Sequence, residues 1–100
     1  MKPTAITKFA RGKACTFKSD VCDSGGIDHP NVVFCHENSG GMGQKAKDSK
    51  GKDIGFFGCH ACHQLYDTLD HPYYKPYLIK EMAQFAITRT ERQLVKALLK

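Results

Sequence analysis

Cys59 and Cys62 stand three positions apart in the stretch Gly58-Cys59-His60-Ala61-Cys62-His63. Two thiolates at that spacing, where a helix begins, can grip one side of a soft metal ion. A second pair, Cys15 and Cys22, lies far upstream, with Lys18-Ser19-Asp20 as a turn between them. The four together make a thiolate set in two halves. Zinc in structural sites prefers four tetrahedral ligands, and four sulfurs leave no position for a substrate. The expected ion is therefore a structural zinc, which contributes roughly 10–16 kcal/mol of apparent binding energy to folding. Two pairs split across the chain, the second entering a helix, form the pattern of a treble-clef knuckle. Without metal, the same residues would be buried free thiols.

Two histidines lie beside these motifs: His36, and His63 directly after Cys62. An imidazole titrates near neutral pH, which suits a general base or a metal ligand. Cys59-His60-Ala61-Cys62-His63 also matches the Cys-x-x-Cys-His pattern of covalent haem attachment, with His63 as axial ligand opposite Met42 or Met82. That chemistry requires an exported apoprotein, and Met1 to Ile6 carry no apolar core of a signal peptide. It also leaves Cys15 and Cys22 without a role, so it is set aside.

The elements that must position these residues can be read from spacing. Asn31-Val32-Val33-Phe34-Cys35-His36 is β-branched and aromatic and reads as a strand ending at His36. The glycine-rich run from Glu37 to Gly43 lacks the Gly-Lys-Ser/Thr ending of a phosphate-binding loop, and Gln44 to Lys52 reads as an exposed polar loop. Ile54-Gly55-Phe56-Phe57 reads as a second strand running into the cysteine pair. Leu65, Tyr66 and Leu69 fall at helical spacing and predict a helix over 61–70, stopped before Pro72. Pro76 can open a further helix, and Thr90 with Gln93 resembles a capping box for a last one. The expectation is a small α+β fold: a single domain over 1–100, with a ββα core over 31–70 and C-terminal helices over 74–99.

A chain of 100 residues buries a modest fraction of its surface, so a metal staple is useful to it. No apolar run approaches the length needed to cross a bilayer. With no export signal, the expected compartment is the cytoplasm, where cysteines act as ligands or thiols rather than disulfides. The formal charge of +5 suits a polyanionic partner. Lys8, Arg11 and Lys13, with Phe9 and Phe17 interleaved, and Lys45 in the polar loop, are the candidate phosphate contacts. A solvated basic edge is the plain alternative.

Several of these motifs occur in a fixed combination: Ala10-Arg11-Gly12-Lys13-x-Cys15, Val21-Cys22, Cys35-His36, Gly41-Met42-Gly43-Gln44-Lys45 and Cys59-x-x-Cys62-His63. Over roughly residues 8–70 this combination resembles the YbcO-like prophage nucleases, which are similar to the C-terminal domain of the phage recombination nuclease Ref. The resemblance implies an HNH, or ββα-metal, fold with a four-cysteine zinc, acting on DNA in the bacterial host, with phage recombination proteins as partners. It implies that His36 is the general base and that His63 holds a catalytic magnesium or manganese ion. Two HNH positions depart from the common pattern. Cys35 stands where an aspartate ligand often precedes the catalytic histidine, and a thiolate suits magnesium poorly, so Cys35 is expected to be a small buried strand residue. The asparagine that orients the base has no match. Asp48 and Asp53 are the carboxylates available near the second strand, and Asp53, which leads into it, is favoured. His71 and Asp70 are possible accessory groups, whereas His60 and His29 are expected to face solvent. The alternative to an endonuclease is a zinc-stabilised nucleic-acid-binding domain that does not cleave.

Overall fold

A computed structural model describes residues 4–37, 47–48 and 51–100. Five elements follow one another: α1 (Ala5–Ala10), β1 (Val33–His36), β2 (Gly55–Gly58), α2 (His60–Thr68) and α3 (Pro76–Lys96). The two strands form an antiparallel sheet in which Val33 pairs with Gly58 and His36 with Gly55. The result is a small α+β protein with one two-stranded sheet and three helices among the described residues. Its radius of gyration of 12.8 Å matches the value of about 13 Å for a compact chain of this length.

The strand residues Phe56 and Phe57 are fully buried, and so are Ile79 and Leu94 of α3, which packs on β2. Alternation sends the two rings to opposite faces of the sheet. Phe56 meets Phe17 at 5.2 Å and the Tyr66 ring of α2 edge-on at 5.3 Å, whereas Phe57 meets Phe9 of α1 at 6.0 Å. A two-stranded sheet with an aromatic on each face needs cover on both sides, and the helices supply it. Gly55 and Gly58 both permit close approach across the sheet: a Cβ at Gly55 would run into the Cys35 carbonyl, and one at Gly58 would lie 2.7 Å from the Cys35 sulfur.

Helix α1 was not anticipated by the basic reading of this segment; the Thr4 side chain caps it by accepting the Thr7 N–H at 3.2 Å. The C-terminal region is also corrected. It is one helix of 21 residues rather than two, and Thr90 is an interior residue of it, not an N-cap. The reason is tertiary. The Thr90 hydroxyl is fully buried against the free edge of β2, where it lies 2.9 Å from the Thr16 hydroxyl and accepts the Phe57 N–H at 3.2 Å. Thr16 completes that edge: its N–H donates to the Phe57 carbonyl at 2.7 Å, and its hydroxyl oxygen lies 3.1 Å from the Phe57 nitrogen. A backbone group left unpaired at that depth would cost about 1–3 kcal/mol. Among the described residues no buried side-chain nitrogen or oxygen lacks a hydrogen-bond partner. No helix among them is long and apolar enough to cross a membrane.

Candidate functional site

The four cysteines that the sequence set in two pairs come together. One sulfur each from Cys15, Cys22, Cys59 and Cys62 lies within 4.8 Å of the others, and Cys15, Cys59 and Cys62 are fully buried. The Cys59 and Cys22 sulfurs are 3.8 Å apart, the edge of about 3.8 Å expected for a tetrahedron of sulfurs with metal–sulfur bonds of about 2.3 Å. None of the five cysteines is in a disulfide.

Local structure explains how each ligand is aimed. Cys59 is the N-cap of α2, and its sulfur accepts the Cys62 N–H at 3.5 Å. The three-position spacing thus places both sulfurs at one helix N-terminus, where the positive end of the helix favours thiolate. The upstream pair lies on a loop that turns at Lys18, in the left-handed region at φ 54°, and at Ser19, whose carbonyl accepts the Cys22 N–H at 3.2 Å. The Asp23 N–H donates to Cys59 sulfur at 3.3 Å, and the Ser19 hydroxyl lies 3.1 Å from Cys62 sulfur. Asn31 ties the halves together: its side chain accepts the His60 N–H at 3.3 Å and donates to Asp23 at 3.1 Å. N–H groups aimed at sulfur suit anionic sulfur, as in a metal-bound thiolate.

The proton distribution tells the same story. The hydrogen bond from Cys62 holds the Cys15 thiol far below its ordinary value, at about 4, against the opposing effect of burial. The Cys62 thiol is correspondingly pushed up by keeping the shared proton and by burial. Burial also raises Cys22. Four thiols this close cannot all ionise without a cation, and a divalent ion supplies the missing charge. The donor set therefore fits a soft metal ion in a closed, structural site.

Cys35 lies outside this set. It is buried in β1, its sulfur facing the carbonyls of Val33 and Gly58 at 3.7 and 3.9 Å, and burial pushes its thiol well up.

The histidines occupy different surroundings. His36 ends β1, and its Nε2 lies 3.6 Å from a carboxylate oxygen of Asp53, which is buried just ahead of β2. The Phe34 ring meets His36 edge-on at 5.0 Å. Asp53 also takes the ammonium of Lys47. Burial pushes the Asp53 carboxyl up, but the Lys47 hydrogen bond and charge, with His36, outweigh it and hold the group below its usual range. Asp48, the other carboxylate considered, is engaged differently: it accepts the Lys52 N–H at 2.9 Å and pairs with Lys100 at 3.3 Å. His63 sits in the first turn of α2, 3.3 Å from Asp67 one turn later. Sequence reasoning missed Asp67; the signal was the four-residue spacing to His63 on one helix face. His36 ends a strand of the sheet, and His63 lies on the helix that packs against it. Tyr66 of α2 packs on Phe56, whose partner in β1 is Cys35, next to His36.

His71 belongs elsewhere. Its Nδ1 accepts the N–H groups of Tyr73 and Tyr74 at 3.0 and 3.1 Å, so its Nε2 carries the proton that it donates to Asp20, 3.0 Å away. This clamps the cysteine loop to the α2–α3 connection. His60 is exposed, and His29 is half-buried. Lys8 and Arg11 are exposed on or after α1, and the Lys13 ammonium lies 4.5 Å over the Phe9 ring. Lys45, Met42 and the rest of the Gly41–Lys45 motif lie outside the described residues. No protein-family model, curated protein or solved structure matches this chain.

Proposed function

We propose that this chain is a metal-dependent DNA endonuclease of the HNH type, with β1, β2 and α2 as its ββα unit and a treble-clef zinc closing that unit on the Cys15–Cys22 loop. The observation that carries the reading is the pairing of His36 with the buried Asp53 carboxylate across the mouth of the hairpin. A carboxylate beside an imidazole stabilises the imidazolium formed when the ring takes a proton from the attacking water. Asp53 would thus do the orienting work of the missing asparagine, with Lys47 keeping it ionised. His63 and Asp67 offer a nitrogen and a carboxylate on one helix face, and a magnesium or manganese ion held there would offset charge on the scissile phosphate. The buried thiol of Cys35 takes no part in that site. The net charge of +5 and exposed Lys8 and Arg11 favour a phosphate backbone as partner. The YbcO-like and Ref-like resemblance supports the same assignment, with a role beside phage recombination proteins in the bacterial cytoplasm.

A second reading, a zinc-stabilised nucleic-acid-binding domain without cleavage, is favoured by the Lys47 ammonium already lodged on Asp53. Plasmid nicking separates the two. Purified protein with magnesium or manganese is expected to relax supercoiled plasmid, and His36→Ala is expected to abolish this while leaving DNA binding intact. Binding that persists with no nicking under either metal establishes the second reading instead.

A further inference from the structure

Helix α3 buries one face against β2, yet its opposite face carries large apolar side chains in the open. Phe85 is 61% exposed at the middle of that face, and Tyr77, two turns earlier, is 66% exposed. A single exposed ring is ordinary on a protein surface; what marks Phe85 is the charge that shares its stripe. The residues that follow Phe85 on its stripe are Arg89, Arg92 and Lys96, at the fourth, seventh and eleventh positions after it, all exposed. Glu81, one turn before, is the acid on the stripe. The basic stripe does not stop at the helix. The Arg89 guanidinium donates to the Thr16 carbonyl at 3.0 Å, two residues before exposed Lys18 of the cysteine loop.

We propose that this outward face of α3 is a track for single-stranded nucleic acid, in which bases stack on Phe85 and the phosphates run along Arg89, Arg92 and Lys18. The charge decides the class of occupant. An apolar protein partner would have to bury three cations around one ring, whereas a polyanion brings its own neutralising charge and releases counterions. An aromatic ring beside guanidinium groups suits an unpaired base, because every base offers a face for stacking and a duplex does not. Arg89 is held in place by its backbone contact, and a guanidinium carries further N–H donors that suit phosphate. The inference deepens the nuclease reading by naming substrates with unpaired segments. It rests on that reading only for what happens after binding.

The test measures binding alone, with zinc-loaded full-length protein, no added magnesium or manganese, and fluorescently labelled oligothymidine and a duplex of equal length. Wild-type protein is expected to prefer the single strand. Phe85→Ala is expected to weaken single-strand binding by about fivefold or more and to change duplex binding less than twofold, while Phe85→Trp retains affinity. Arg92→Gln is expected to lower the salt dependence of binding. Truncating an exposed side chain leaves the core intact, and an unchanged melting temperature checks this. Equal single-strand affinity of Phe85→Ala and wild type overturns the proposal, as does an equal loss on both substrates. A wild-type dimer that Phe85→Ala converts to monomer, with DNA affinity unchanged, assigns the face to a second copy and also overturns it. Failure to nick plasmid, with Phe85-dependent binding present, removes the nuclease reading and leaves the track standing.

Discussion

Two polar clusters, the four sulfurs and the imidazole–carboxylate pairs, flank β1, β2 and α2 and are built in opposite ways. In the first, three of four ligands are fully buried, and N–H groups and a serine hydroxyl surround the sulfurs. In the second, the His63 and Asp67 side chains are 39% and 50% exposed, and His36 meets its carboxylate at 3.6 Å rather than at close hydrogen-bond distance. A closed, fully surrounded set of thiols suits an ion held permanently, which would organise the chain around it. A half-open pair, held loosely, has room for a ligand and for a proton to move. The contrast separates a closed sulfur centre from polar pairs that the fold leaves nearer to solvent.

The largest expected effect lies in the sulfur centre. Removing the metal with a strong chelator, or replacing Cys62 with Ser, should unfold the protein at ordinary temperature, because roughly 10–16 kcal/mol of metal binding equals or exceeds the whole stability of a typical domain. Circular dichroism with elemental analysis reads both losses together. Cys35→Ala, in contrast, should keep one metal per chain, and a variant of Cys62 that keeps full metal and fold would break the comparison.

The Asp53 cluster should respond next, and to pH. Its carboxyl is held below the ordinary range, so the folded state binds fewer protons there than the unfolded one just below pH of about 4. The stability it contributes is present above that value and is lost as pH falls through the depressed folded pKa. Asp53→Asn should therefore melt below wild type at pH 6, and the gap should close progressively under about pH 4. A gap that is constant across that interval would show that the pairing with Lys47 and His36 carries no net charge effect.

The smallest effect belongs to the exposed pair. His63→Ala should change stability by less than about 0.5 kcal/mol, since an exposed pair of this kind contributes little. Denaturant unfolding measures it, and a loss comparable to that of a cysteine variant would place His63 in the structural centre instead. That outcome would merge the two regions.

The legibility of these features follows their range along the chain. Cys59 and Cys62 were readable because the contact is local: one cap residue and the third position after it, a geometry fixed by the first turn of a helix. His36 at a strand end and the run into Gly58 were readable for the same reason. Asp67 was overlooked although it is equally local, because an acid on a helix surface has many ordinary explanations. The break at Thr90 was misread because its capping signal is genuine in sequence, and only the buried edge of β2 explains why the hydroxyl is turned to Phe57 instead.

By itself the chain determined the two cysteine pairs, the β-branched and aromatic runs that hold the strands 33–36 and 55–58, and the apolar stripes of α2 and α3. These rest on periodicity and on caps, which act within a few residues. Tertiary structure brought Cys15 and Cys22 to the pair some 40 positions away, as the two-pair set predicts, and it alone decided that Lys47 sits on Asp53 beside His36 and that α3 is continuous through Thr90. Each of those outcomes depends on which groups lose water together, and burial is a property of the packed chain rather than of any segment.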